Sequence, residues 1–290
     1  MGGLLLAAFY PVLLWIYERS VAADSYTSHA FLIPLISGYL IYSQRDELKK
    51  TVREPSTWGL VTLVTGLLIF VLSGLLRVYF TSGFALLLCL SGMILYWGGL
   101  AWMKRVWFPV FFLVFMLPLP EIAIARINLY LKMLVTYGAV GTVDLLGVPV
   151  VMDGAKIQLE GGELIVGDVC SGLRSLIALI ALGVFYAWLY PRRDWLVRGS
   201  LLAAVIPVAL GANMIRIICN VLFANYFGTK LLFAPLFTSS LTGAVDLHLL
   251  SGVVVFGVAL LALHLIMLGA EGLAEFLNRD DDAVETGSAA

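Results

Sequence analysis

Val166-Gly167-Asp168-Val169-Cys170-Ser171-Gly172-Leu173-Arg174-Ser175-Leu176 is a polar patch with a cysteine at the mouth of an apolar run that continues to Tyr190. Gly167, Asp168, Ser171 and Gly172 suit a turn and a helix start, and the run from Leu173 is long and apolar enough for a buried helix. Cys170 is thereby expected at or just before a helix N-terminus. There the unpaired backbone N–H groups and the positive end of the macrodipole favour a thiolate over a thiol, the condition for a nucleophile. The same window also fits a cysteine that is only a small, inert core residue.

Working outward, the composition sets the class. The chain of 290 residues is 61% hydrophobic and 13% charged, with a mean hydropathy of +0.98, so it has too little polar material to cover a soluble globule. A polytopic membrane protein is expected. The formal net charge of -1 gives no reason to expect a nucleic-acid partner. Cys89, Cys170 and Cys219 lie far apart without CxxC spacing, which suggests neither a disulfide framework nor a zinc site, and no cofactor is expected. Met1-Gly2-Gly3-Leu4 lacks a basic segment, so the first apolar run is expected to be retained as a helix.

Apolar runs over 3–17, 27–43, 58–76, 84–103, 106–119, 172–190, 199–223 and 247–268 predict about eight transmembrane helices in an all-α architecture. Lysines and arginines gather in three loops: Arg45, Lys49, Lys50 and Arg53; Lys104 and Arg105; Arg192, Arg193 and Arg198. These loops are expected in the cytoplasm, and loops 20–28, 77–83 and 228–246 outside. To keep that alternation, residues 120–168 stay outside, with 121–146 as one or two interfacial helices carrying Glu121, Arg126, Asn128, Lys132 and Asp144. Segments 148–152, 155–159 and 163–166, split by Asp153-Gly154 and Gly161-Gly162, predict a small extracytoplasmic β element of hairpins that leads into Cys170. The domain expectation is 1–147 as N-terminal helices plus the interfacial helix, 148–169 as the β element, 170–268 as catalytic helices and 269–290 as a disordered acidic tail.

Charged residues inside the apolar runs can be placed by depth. An arginine within a span is a functional candidate by default, and Arg216 lies in Asn213-Met214-Ile215-Arg216-Ile217. The helical rise from Arg198 to Arg216 is about 27 Å, close to the hydrocarbon thickness of about 30 Å. Arg216 is therefore expected near the outer edge. The last span opens at that edge with Asp246-Leu247-His248, so Cys170, Arg216 and His248 come to one depth. Each has a plainer reading. Arg216 could snorkel to lipid phosphate or pair with Asp246, His248 could be an idle helix-start histidine, and Arg174 could be an interfacial anchor. His29 most simply makes a structural hydrogen bond, and Trp97, Trp102 and Trp107 need only be aromatic-belt anchors.

The ordered set Val169-Cys170-Ser171-Gly172-Leu173-Arg174-Ser175, Asn213-Met214-Ile215-Arg216-Ile217 and His248 followed by Gly252 resembles the exosortases, the bacterial branch of the exosortase/archaeosortase family. The stretch from Ser28 to Ser37 is similar to that family's second span, so the resemblance covers about 24–268. Some members carry a further C-terminal extracytoplasmic domain, whereas here an acidic tail follows the last run. The resemblance implies a cysteine protease/transpeptidase of the bacterial inner membrane, associated with exopolysaccharide, whose site faces the periplasm. Its partners would be the bilayer and membrane-anchored proteins with a C-terminal sorting signal, often containing Pro-Glu-Pro. It further implies Cys170 as nucleophile, Arg216 as stabiliser of oxyanion or thiolate and His248 as general acid/base, with Arg174, Ser171 and Asn213 in support. A transporter or polysaccharide-export subunit is the alternative, since it too would be polytopic with an intramembrane arginine.

Overall fold

The sequence divides two apolar runs at Lys104-Arg105, but the helical backbone is interrupted instead at Gly99. A computed structural model describes residues 2–22, 25–159, 162–167, 172–190, 195–239 and 243–287, and of 237–239, 243–246, 248, 249 and 277–287 it describes the backbone. In chain order the elements are α1 Gly2–Ala8, α2 Tyr10–Val21, a 3-10 turn Ser28–Phe31, α3 Leu32–Ser43, α4 Arg45–Lys50, α5 Thr57–Leu76 and α6 Tyr79–Phe112. A second 3-10 turn, Leu113–Met116, precedes α7 Glu121–Leu145. Strands β1 Val151–Asp153, β2 Lys156–Leu159 and β3 Gly162–Ile165 lead to α8 Leu173–Leu189, α9 Trp195–Phe227 and α10 Thr229–Leu232. Strands β4 Pro235–Ser239 and β5 Gly243–Asp246 then precede α11 Leu247–Gly287. Two compact units divide at Ile124/Ala125, within α7.

Among the described residues four helical stretches are long and apolar enough to cross a membrane: Thr57–Leu76, Tyr79–Met116, Trp195–Phe227 and Leu250–Phe276. The pair α1 and α2, bent by 63°, makes a fifth if it counts as one span, and the apolar helices Ser28–Ser43 and Leu173–Leu189 are shorter. The protein is thus helical and multi-pass with a small sheet, and its count by length and composition is smaller than the eight read from the sequence.

In the first unit α5 and α6 form a tight hairpin. Gly59, Gly66 and Ser73 are buried along one stripe of α5, and a Cβ at Gly66 would come within 2.7 Å of Cys89 Sγ on α6. Small residues let the two backbones approach, which is how helices associate where lipid removes the hydrophobic drive between them. At the closed end Ser73 Oγ lies 2.7 Å from Thr81 Oγ1.

At the other end Gly99 takes φ +73°, and a Cβ there would sit 1.9 Å from the Glu54 carbonyl oxygen. Only glycine fits both the backbone angle and the close approach. The stretch Tyr79–Met116 has 38 residues, about 57 Å of helix and nearly twice the hydrocarbon thickness, so it cannot be one straight crossing. The chain does turn back: Leu117 packs on Gly83, near the start of α6. Lys104 and Arg105 therefore stand on a helix and not in a loop. Charges on long stems do not end a helix, whereas a glycine at positive φ does. Arg105 pairs with Glu47, the Arg53 guanidinium lies 5.0 Å over the Trp102 ring, and Trp102 Nε1 donates to the Thr51 carbonyl at 3.3 Å. The first two basic groups of the sequence thus share one end of this unit. Gly99→Ala is expected to lower the thermal midpoint of the purified protein sharply, whereas Gly74→Ala, with open space around it, should leave it nearly unchanged. Equal midpoints for the two variants would contradict the tight turn at Gly99.

In the second unit β1, β2 and β3 form an antiparallel meander, with Asp153 opposite Lys156 across a two-residue turn and Leu159 opposite Gly162. The first is the turn that Asp153-Gly154 predicts, although β1 starts at Val151 and not at Val148, and Gly161 lies outside the described residues. Ile157 faces Leu164 across the pair, and both are buried with Val166 against Val135, Ala139 and Val143 of α7 and Ile217, Val221 and Ala224 of α9. Farther along, Leu179 and Ala187 of α8, Leu201, Val205 and Ala209 of α9, and Ala259 and Leu263 of α11 make a second core. The far end closes with Tyr190, Val197, Ala270 and Ala274, where Arg198 Nη2 donates to the Tyr190 carbonyl at 3.1 Å. The sequence did not reveal the hairpin of β4 and β5 within the expected loop 228–246. The last helix, α11, is described to Gly287.

Candidate active site

The buried face of α9 changes character along its length. Val197, Leu201, Val205 and Ala209 recur every four residues and pack the helical core, and the same stripe then carries Asn213, Arg216 and Asn220 beside Ile217, Val221 and Ala224. Arg216 therefore lies in the layer between the helical core and the core under the sheet. It is only 8% exposed, so its guanidinium is not snorkelling to a lipid headgroup. A cation in such a place is stabilised only by organised acceptors.

One of these comes from α11. Arg216 Nε donates to Ser251 Oγ at 3.3 Å. Next to it, a Cβ on Gly252 would lie 3.1 Å from Arg216 Cζ and 3.2 and 3.4 Å from Nη2 and Nη1. Since Cζ is the nearest of the three, Gly252 faces the plane of the guanidinium rather than its edge. Position 248 lies on α11 three and four residues before this pair, on the same helix face by the period of 3.6. The His248 side chain is outside the described residues.

The second approach comes from α8. Its N-cap is Gly172, at φ +79°, whose carbonyl accepts from Leu176 N at 2.8 Å and Ser175 Oγ at 2.9 Å. A Cβ at Gly172 would be 2.6 Å from both Cγ and Nδ2 of Asn213. Glycine is needed there twice over, for the left-handed backbone and for the close contact. Asn213 stands one helical turn before Arg216, so α8 begins at the level of the arginine. Cys170 and Ser171 lie outside the described residues. Arg174, half-buried in the first turn of α8, is on the helix that the sequence predicts.

Of the expected site residues, Asn213 and Arg216 stand one turn apart on α9, with Gly172 of the same motif against Asn213 and position 248 one turn from the residues that seat the arginine, whereas Cys170, Ser171 and the His248 side chain lie outside the described residues. Sequence reasoning missed Ser251 as a partner, and its spacing of three from His248 was the available signal. Asn220 was also passed over. Elsewhere, His264 Nδ1 and the Tyr186 hydroxyl are 2.9 Å apart on α11 and α8, and His29 belongs to the first unit. Among the described residues no three His, Cys, Asp or Glu side chains gather as metal ligands. Cys89 is buried in the α5–α6 seam and Cys219 is exposed on α9.

A family model described as transmembrane exosortase matches residues 18–265. No curated protein and no solved structure matches the chain.

Proposed function

We propose, from the premise that the chain belongs to the transmembrane exosortase family, that it is a membrane-embedded cysteine protease/transpeptidase that cleaves C-terminal sorting signals of exported proteins. The observation that carries this reading is the seating of Gly172 on Asn213, one turn from Arg216. Consecutive Cα atoms are about 3.8 Å apart, so Cys170 Cα is at most about 7.6 Å from that of Gly172. This supports a thiol within reach of the guanidinium, and position 248 on α11 supports a histidine on the same side.

Chemically, the Cys170 thiolate attacks the scissile carbonyl carbon and the carbonyl electrons move to oxygen. Arg216, charged at any working pH, stabilises that oxyanion and, before it forms, the thiolate. On collapse the C–N bond breaks, His248 as imidazolium gives its proton to the leaving amine, and a thioester remains. Water or an acceptor amine then attacks the thioester, its proton passes to His248, and the C–S bond breaks to restore the thiolate. Asn213, Ser171 and Arg174 support this layer. The substrates would be proteins with a signal of the Pro-Glu-Pro type, a transmembrane helix and a basic cluster.

In the same reading the protein sits in the bacterial inner membrane with the sheet end facing the periplasm and 269–290 in the cytoplasm. The shared end of Glu47, Arg53, Trp102 and Arg105 supports a common cytoplasmic side for the first two basic groups. The turn at Gly99 and the return of Leu117 to Gly83 support two crossings within Tyr79–Met116. With α3, α8 and the bent pair also crossing, eight passes result.

The test is made in intact cells. Reporter fusions after Gly161 and after Arg193 should read outside and inside, and a membrane-impermeant thiol reagent should label Cys170. Mass spectrometry of surface-protein C-termini should show trimmed proteins only when the gene is present. Inverted fusions with an inaccessible Cys170 would overturn the topology, and unchanged C-termini would leave the transporter reading in place.

A further inference from the structure

We propose that Tyr186 and His264 are positioning residues for the acyl-transfer site: their hydrogen bond sets the register of α8, which follows the cysteine, against α11, which carries position 248. This rests on the catalytic reading of Cys170 and His248 given above. The Tyr186 hydroxyl and His264 Nδ1 are 2.9 Å apart, with the ring centroids at 6.3 Å. Hydroxyl and ring nitrogen can each give or take the proton, so either imidazole tautomer keeps the bond. Both helices start at the layer of Arg216 and run from it in the same direction, into the core that Leu179 of α8 and Ala259 and Leu263 of α11 share with α9. Gly172, seated on Asn213, is 14 residues before Tyr186, and Ser251, bonded to Arg216, is 13 residues before His264. At 1.5 Å per residue these are about 21 and 20 Å of helix. The Tyr186–His264 bond therefore joins two points equally far from the site. In the sequence Cys170 and His248 likewise each precede their member of the pair by 16 residues.

The way these helices pack makes such a tie useful. Both α8 and α11 lie chiefly against α9: Gly183 of α8 faces Val205, where a Cβ would be 2.4 Å from Cγ2, and Ala259 and Leu263 of α11 join the same core. Apolar packing is non-directional, whereas a hydrogen bond weakens steeply with distance and angle and so is made at one register. A slip by one residue would shift α11 along α8 by about 1.5 Å and turn it by about 100°. Misplacing a reacting group by about 1 Å costs on the order of a hundredfold in rate. Helix association alone is the plainer role, and it would show in the amount of folded protein rather than in turnover per molecule.

The experiment uses the full-length chain in membranes and, as substrate, a surface protein that loses its C-terminus only when this chain is present. Tyr186→Phe removes one oxygen and keeps the ring. It should lower kcat by about tenfold, with KM and membrane abundance nearly unchanged. Labelling of Cys170 by iodoacetamide, read in a Cys89→Ala/Cys219→Ala background, should keep its normal rate, because α8 stays seated on Asn213 through Gly172. His264→Phe should lose as much as Tyr186→Phe, and the double variant no more than either, since both remove the same bond. His264→Gln, whose amide offers a donor and an acceptor, should recover most of the rate. Normal kcat in Tyr186→Phe, multiplicative losses in the double variant, or a His264→Gln enzyme as slow as His264→Phe would overturn the positioning role. So would labelling and abundance that fall together with kcat, which would leave the pair as a prop of the fold. An inactive Cys170→Ala beside a normal Tyr186→Phe would remove the positioning role alone, whereas an active Cys170→Ala would remove the catalytic reading and the positioning role with it.

Discussion

Cys170→Ala and Cys170→Ser are each expected to abolish processing while the protein still accumulates in the membrane. In the proposed mechanism the thiolate forms the covalent bond, and a serine hydroxyl without a strong base beside it does not substitute for it. Removing the nucleophile of a concerted catalytic set costs on the order of a millionfold in kcat, far below what a processing assay detects. Exchange of sulfur for hydroxyl or hydrogen changes little volume, so a folding defect is not the expected cause. Cys219→Ala, at an exposed position, should process normally, and so should Cys89→Ala in the α5–α6 seam. Western blots of substrate and enzyme from the same cells check all four variants. Retained cleavage in either Cys170 variant would remove the nucleophile assignment.

Arg216→Lys is expected to lose about a hundred- to a thousand-fold in rate, the usual cost of one oxyanion donor. A lysine reaches a headgroup as well as an arginine does, so an anchoring role would tolerate the exchange. The burial of Arg216 and its bond to Ser251 already argue against snorkelling. A single ammonium cannot bond Ser251 and also present two parallel donors to a second group. Single-turnover kinetics on the purified protein separate the outcomes: slow formation of the thioester places the arginine in acylation, whereas a trapped thioester places it afterwards. Near-normal cleavage would sink the catalytic role and leave Cys170 untouched.

What the sequence made legible follows from where its signals are strong. Apolar runs bounded by glycine and charge mark α5, α8, α9 and α11, and the Asp153-Gly154 pair marks the turn between β1 and β2. The common level of α8's start and Arg216 follows from loop charge and helical rise alone. Other features were hidden for physical reasons. The pair Lys104-Arg105 looks like a loop in a hydropathy profile, yet the break lies at Gly99, which packs against a carbonyl of Glu54 distant in the chain. Hairpin β4–β5 lacks a strict alternation, and its register slips between Pro235 and Phe237. Ser251 as a partner was invisible because its bond crosses between two helices, and nothing in a local window reports a neighbour on another element.

The arginine's seat is assembled from segments that leave the ribosome at different times. The motif around Gly172 is synthesised first, Asn213 and Arg216 follow on α9, and Ser251 arrives 35 residues after the arginine. A chain still being threaded into the bilayer can hold the thiol, and later the arginine, while the residues that orient the arginine have yet to emerge. Under the proposed function, the layer around Arg216 is therefore complete only after the last helix docks.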